Sequence, residues 1–127
     1  MKGRGASLGA LAVLLACGSC AQITLRQAMT DRVQTRYVAL IRRLEAGSNF
    51  EVRAASRALR EALESPAVVR SSPRPGDPRF EDLRLEAISV MRRIERTAER
   101  FDAESLQEMR SEIAARCDAC HAVFRTP

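Results

Sequence analysis

Near its C-terminal end the chain carries Cys117-Asp118-Ala119-Cys120-His121, two thiols and an imidazole within five residues. A Cys-x-x-Cys-His run is the pattern of covalent haem attachment in c-type proteins. Each thiol can add to a vinyl group of the porphyrin to form a thioether, and the adjacent histidine can ligate the iron from the proximal side. The spacing has a geometric reason. Residues three and four apart share a helix face, so on a helix all three side chains address one flat macrocycle. His121 is the only histidine in the sequence, and no other imidazole competes for the proximal position.

Other chemistries use the same pair: half of a zinc site, a redox-active dithiol or a local disulfide. Zinc usually takes four nitrogen or sulfur ligands. Cys117, Cys120 and His121 supply three, and the remaining cysteines, Cys17 and Cys20, fall in an expected export segment. A thioredoxin-like motif expects a preceding strand in a βαβ setting, and the sequence pattern shows neither. Covalent haem c is therefore the leading expectation, with zinc or a dithiol as the alternative.

The elements that must position this run begin after an N-terminal segment with export features. Lys2 and Arg4 make a short basic start, Leu8 to Ala16 is an apolar run, and small residues follow. The run is too short to span a bilayer as a folded helix. Ser19-Cys20-Ala21 before Gln22 has the small-x-small form of ordinary signal cleavage. Leu14-Leu15-Ala16-Cys17 has the form of a bacterial lipobox, which would leave Cys17 lipidated. Ordinary cleavage is slightly favoured, because the lipobox cut strands Cys20 as a free thiol in an oxidising compartment. The expectation is an export signal over residues 1–21 and one domain over 22–127, located in the periplasm. The only expected link to the membrane is that lipid anchor.

The formal net charge of the chain is +5, from 21 Lys and Arg against 16 Asp and Glu. Residues 1–21 hold the only lysine and none of the acids. The arginines that remain are interleaved with Glu and Asp, as on solvated helix faces, so the basic pI does not point to nucleic acid. The chain shows no paired carboxylates at an identifiable cleft and no phosphate loop, and its one histidine is committed to the haem motif. It reads as a non-enzyme.

Four helical stretches are expected. The first runs from about Ile23 to Ala46, with Leu25, Met29, Val33, Tyr37, Leu40 and Leu44 as its apolar stripe and Gly47 as its stop. The second starts near Ser48 or Asn49, carries a weaker stripe through Phe50, Ala54, Ala58 and Leu59 to Leu63, and ends at Ser65-Pro66. Three prolines and a glycine over 71–78 make a loop. The third helix begins near Asp77 or Pro78, with Phe80, Leu83, Ala87, Val90, Met91, Ile94 and Ala98 on one stripe. Asp102 caps the fourth, whose inner face holds Leu106, Met109, Ile113, Cys117, Cys120 and Phe124. The fold class expected is all-α: an antiparallel four-helix bundle with covalent haem near the C-terminus of the last helix. The cysteines share the stripe that packs the core, which places the macrocycle inside.

In these residues the chain resembles the cytochrome c′ and cytochrome c-556 family, exported four-helix bundles with haem attached near the end of the last helix. Cys117-Asp118-Ala119-Cys120-His121-Ala122-Val123-Phe124-Arg125 is similar to that family's Cys-x-x-Cys-His-x-x-Phe/Tyr-Arg ending, and Leu25-Arg26-Gln27-Ala28-Met29 to its Arg-Gln signature in helix one. The resemblance implies that Cys117 and Cys120 hold the haem and His121 is the proximal ligand. Arg125 would shape the proximal face or be a solvent-exposed C-terminal arginine. Arg26 would pair with a haem propionate or be an ordinary surface arginine. Phe124 would pack under the haem.

Function in that family turns on the distal side of the iron. A methionine from helix one gives a low-spin centre suited to electron transfer. An apolar residue gives a five-coordinate centre that can bind nitric oxide or carbon monoxide. Met29 lies on the stripe of helix one, where a methionine is ordinarily core. The family often places the distal residue four after the arginine, which here is Thr30, whereas Met29 is three after. Met91 and Met109 are read as packing. The leading expectation is an exported mono-haem carrier of single electrons between redox protein partners, His–Met ligated. The alternatives are a gas-binding five-coordinate protein and a haem-free helical lipoprotein. The family's habit of pairing through its first two helices makes a homodimer a further expectation.

Overall fold

The computed structural model describes residues 25–71, 73–74, 76–100 and 102–124. The expected export segment, with Cys17 and Cys20, and Arg125 lie outside the described residues. Among those described, every regular element is helical. They are α1 (Leu25–Ala28), a π-helical segment (Met29–Gln34), α2 (Thr35–Ala46), α3 (Asn49–Glu64), α4 (Pro66–Val69), α5 (Arg79–Glu99) and α6 (Ala103–Phe124). No helix among them is long and apolar enough to cross a membrane.

The stretch α1–π–α2 is continuous, because Ala28 and Thr35 at its junctions both keep right-handed helical dihedrals. One uniform α-helix was the expectation here, and the π segment corrects it. The burial pattern supplies the reason. Ala28 and Val33 both face the core, and they are five residues apart, the hydrogen-bond spacing of a π-helix, which brings them nearer to one face. A regular α-helix would turn them roughly 140° away from each other.

The helix ends follow local chemistry. The Gly47 N–H donates to the Arg43 carbonyl at 2.7 Å, and a β-carbon at Gly47 would stand 2.7 Å from that same oxygen. Glycine is the residue that permits this approach. Ser48 opens α3 with a capping box. Its Oγ accepts the Glu51 N–H at 3.3 Å, and its own N–H donates to the Glu51 carboxylate at 2.8 Å. Asp77 accepts the Arg79 N–H at 3.0 Å ahead of α5, and Asp102 accepts the Ser105 N–H at 3.1 Å at the start of α6. The single turn α4 was not foreseen. Pro66 presets its first φ, and Val68, fully buried, anchors it.

The long helices pack in antiparallel pairs. Between α3 and α5, Asn49 Nδ2 donates to the Ala98 carbonyl (3.1 Å), Ser56 Oγ to that of Met91 (3.0 Å) and Arg84 Nη1 to that of Leu63 (3.0 Å). Between α5 and α6, Arg93 pairs with Glu112 and Glu86 with Arg116, and Phe80 meets Phe124. Gln107 Nε2 reaches from α6 to the Leu44 carbonyl of α2 at 2.8 Å, and Arg110 pairs with Glu45. Leu40, Leu59, Met91, Ile94 and Ile113 lie at the centre of the core with essentially no exposure. Phe50 departs from its expected place on the α3 stripe and is 80 % exposed. Val52, Ser56, Leu59 and Leu63 make the inward face, and a residue two before Val52 points away from it.

Candidate functional site

The Cys-x-x-Cys-His run occupies the last two turns of α6. The first half of that helix buries Leu106 and Ile113. Beyond Ile113 no described residue of α6 is fully buried, whereas α5, of similar length, buries residues from Phe80 through Ala98. Cys117, Cys120, Val123 and Phe124 are half-buried and His121 is exposed. The apolar arc of α6 thus continues past Ile113 with only part of its cover. α6 packs along α5 and touches α2, but it does not pack along α1 or the π segment.

Cys117 and Cys120 are free thiols. Burial, reinforced by Cys120 and Asp118, pushes the Cys117 thiol up to about 11, and burial also raises Cys120. Both are held in the protonated form at neutral pH. A redox dithiol works through a thiolate stabilised by nearby positive charge, and this environment does the opposite. The three candidate ligands also do not converge. Among the described residues, no three of His, Cys, Asp and Glu are grouped to hold a metal ion. The thiols lie on the inner arc and the imidazole on the exposed edge beside it.

Met29 opens the π segment and packs, half-buried, against the core, while Thr30 beside it is exposed. Of the two registers weighed for the distal residue, the inward one therefore belongs to Met29. Arg26 is exposed. Met91 is fully buried and Met109 partly so, both in the core. Phe124 meets Phe80 edge-on, with ring centroids 5.7 Å apart and planes at 87°.

The topology brings several of these residues to one end of the molecule. Phe80 in the first turn of α5 ties the end of α6 to the start of α5. Arg84 joins that start to the end of α3 through the Leu63 carbonyl. α1 packs on α4, which follows α3 directly. Met29 and the Cys-x-x-Cys-His turn thus share an end, but no packed pair joins their helices.

Two residues in this region were missed as site residues by the sequence pattern. Tyr37 was read only as core. Its phenol is pushed above its ordinary range by burial, then by Cys117 and Asp118, with Arg110 opposing, so it lies within electrostatic reach of Cys117. Two turns beyond Met29 on the same stripe, its position was the available signal. Arg74, in the 71–78 loop, lies over the Phe124 ring at 5.5 Å from its centroid. No local pattern pointed to it, because the contact spans 50 residues of chain.

The donor set suits a flat group held at two points. Two protonated thiols lie on the half-buried arc, with an imidazole one residue on and the Phe124–Phe80 pair at the end of the same helix. No protein-family model matches the chain, and no curated protein or solved structure matches it significantly.

Proposed function

We propose that the protein is an exported mono-haem c-type cytochrome of the cytochrome c′ and c-556 class, an antiparallel four-helix bundle that carries single electrons between redox partners. The observation that carries this reading is the end of α6. Cys117 and Cys120 stand as neutral thiols on a partly covered apolar arc with His121 at its edge, where the helix lacks the burial that its first half enjoys. The Cys-x-x-Cys-His spacing on that arc supports a group held through both thiols.

Cys117 and Cys120 would hold the haem through thioethers and His121 would ligate its iron. When bound, the group supplies a reversible one-electron couple whose potential the protein sets. The residues of the chain do the rest. Phe124 and Phe80 exclude water from one edge. Arg26, exposed one turn before Met29, would pair with a propionate carboxylate. Met29 is the distal ligand in this reading, supported by its inward register against the exposed Thr30. In this reading the protein acts as a carrier and not as an enzyme. The proposed location is the periplasm, free or tethered through Cys17.

The test is the mass and colour of protein exported from a host that matures c-type haem. Covalent haem adds roughly 600 Da, and both Cys117→Ser and Cys120→Ser reduce the fraction carrying it. Colourless material of unshifted mass would overturn the reading and leave the haem-free lipoprotein in its place.

A further inference from the structure

Each long helix ends with a carbonyl that receives a side-chain donor from elsewhere in the chain: Leu44 from Gln107, Leu63 from Arg84, Ala98 from Asn49, and Val123 from Arg74. Terminal carbonyls have no partner within their own helix and need one from outside. Three of these donors come from helices already packed against the end they cap. The fourth comes from the loop between α4 and α5. Arg74 Nη2 donates to the Val123 carbonyl at 3.3 Å, and the same guanidinium lies over the Phe124 ring, 5.5 Å from its centroid. Phe124 in turn rests edge-on against Phe80, which is 4 % exposed.

We propose that Arg74 is a positioning residue for the Cys117–His121 turn. It clasps the last turn of α6 against Phe80 and so fixes the helix face on which the two thiols and the imidazole stand. The clasp matters here because, apart from the Phe124–Phe80 contact, α6 has little packed hold past Ile113 among its described residues. Its described residues there are half-buried or exposed, and Arg116–Glu86 is an exposed ion pair of little worth. A helix end with few buried contacts frays. The stacked guanidinium and its hydrogen bond supply an apolar cover, a carbonyl partner and a positive charge at the negative end of the helix dipole. Arginine suits all three roles, whereas lysine retains only the charge and a point donor.

The inference rests on reading Cys117–His121 as the haem-bearing turn, and the experiment separates the two. Exported full-length protein is compared as wild type, Arg74→Ala and Arg74→Lys by amide hydrogen exchange, intact mass and reduction potential. Arg74→Ala is expected to speed exchange about tenfold over residues 117–124 and to leave the α3 and α5 amides unchanged. Arg74→Lys should restore part of that protection. In the haem-loaded protein, Arg74→Ala should lower the midpoint potential, because a positive charge near the group favours the reduced form, and Arg74→Lys should recover most of the change. Wild-type protein without the haem mass would defeat the haem reading but leave the exchange result to judge the clasp. Unchanged exchange over 117–124 in Arg74→Ala, or faster exchange throughout the molecule, would overturn the clasp.

Discussion

Met29 and Thr30 are neighbours with opposite surroundings, one half-buried against the core and the other exposed. If Met29 supplies the distal ligand, Met29→Ala converts a low-spin ferric spectrum to a high-spin one and opens the iron to carbon monoxide. Thr30→Ala leaves the spectrum unchanged. An unaltered spectrum in Met29→Ala removes Met29 from the site and favours the gas-binding form. Gly47 makes a second prediction at this scale, set by sterics alone. A methyl group at this position meets the Arg43 carbonyl at 2.7 Å, and that oxygen already accepts the Gly47 N–H. Gly47→Ala should lower stability by about 1–3 kcal/mol, read as a shift in the urea midpoint with an unchanged slope. Ser56 differs in kind. Its buried hydroxyl bridges α3 to the Met91 carbonyl of α5 at 3.0 Å. Ser56→Ala should cost only about 1 kcal/mol, since the carbonyl keeps its place in the α5 ladder.

At the scale of the element, the caps set the acid limit. Hydrogen bonds from Ser48 hold the Glu51 carboxyl below its ordinary range. Arg79, through its guanidinium and then its backbone N–H, holds Asp77 at about 2. Bonds from Ser105 lower Asp102. A carboxyl lowered on folding stabilises the folded state fully above its unfolded value, and that contribution is lost as pH falls through the folded one. Stability should therefore decline from the ordinary carboxylate range down to about 2, the folded value of Asp77. Ser48→Ala should cost about 1 kcal/mol at neutral pH and flatten only the smaller part of the Glu51 decline, because the Ser48 backbone N–H that lowers this carboxyl most remains. A variant with an unchanged acid profile would show that the Ser48 hydroxyl carries none of it.

Over the whole molecule, order is unevenly supported. α3, α5 and the first half of α6 share the fully buried centre, whereas α6 past Ile113 has none of it. The double variant Cys117→Ser, Cys120→Ser, which cannot attach haem, should lose protection first over 114–124 and hold it longest over Val52–Leu63 and Ala87–Ile94. Amide exchange followed by mass spectrometry gives the order directly. Uniform loss across all helices would mean that the covalent group, where present, supports the entire core.

Period and punctuation were enough to read an all-helical chain from the sequence, with starts at Ser48 and Asp102 and a stop at Gly47. These are local effects, carried by a side chain reaching three residues or a glycine where a β-carbon cannot fit. The Cys-x-x-Cys-His run was legible as a candidate site for the same reason, since the pattern lies within five consecutive residues. Tertiary packing decided what local pattern could not. The π segment exists because Ala28 and Val33 must both turn inward, a demand made by neighbours and not by propensity. Phe50 points outward because the inward face of α3 is set by Ser56 and Leu59 against α5. Arg74 reaches Phe124 only because antiparallel packing returns the end of α6 to the loop before α5, and no spacing in the chain records a contact made across that distance.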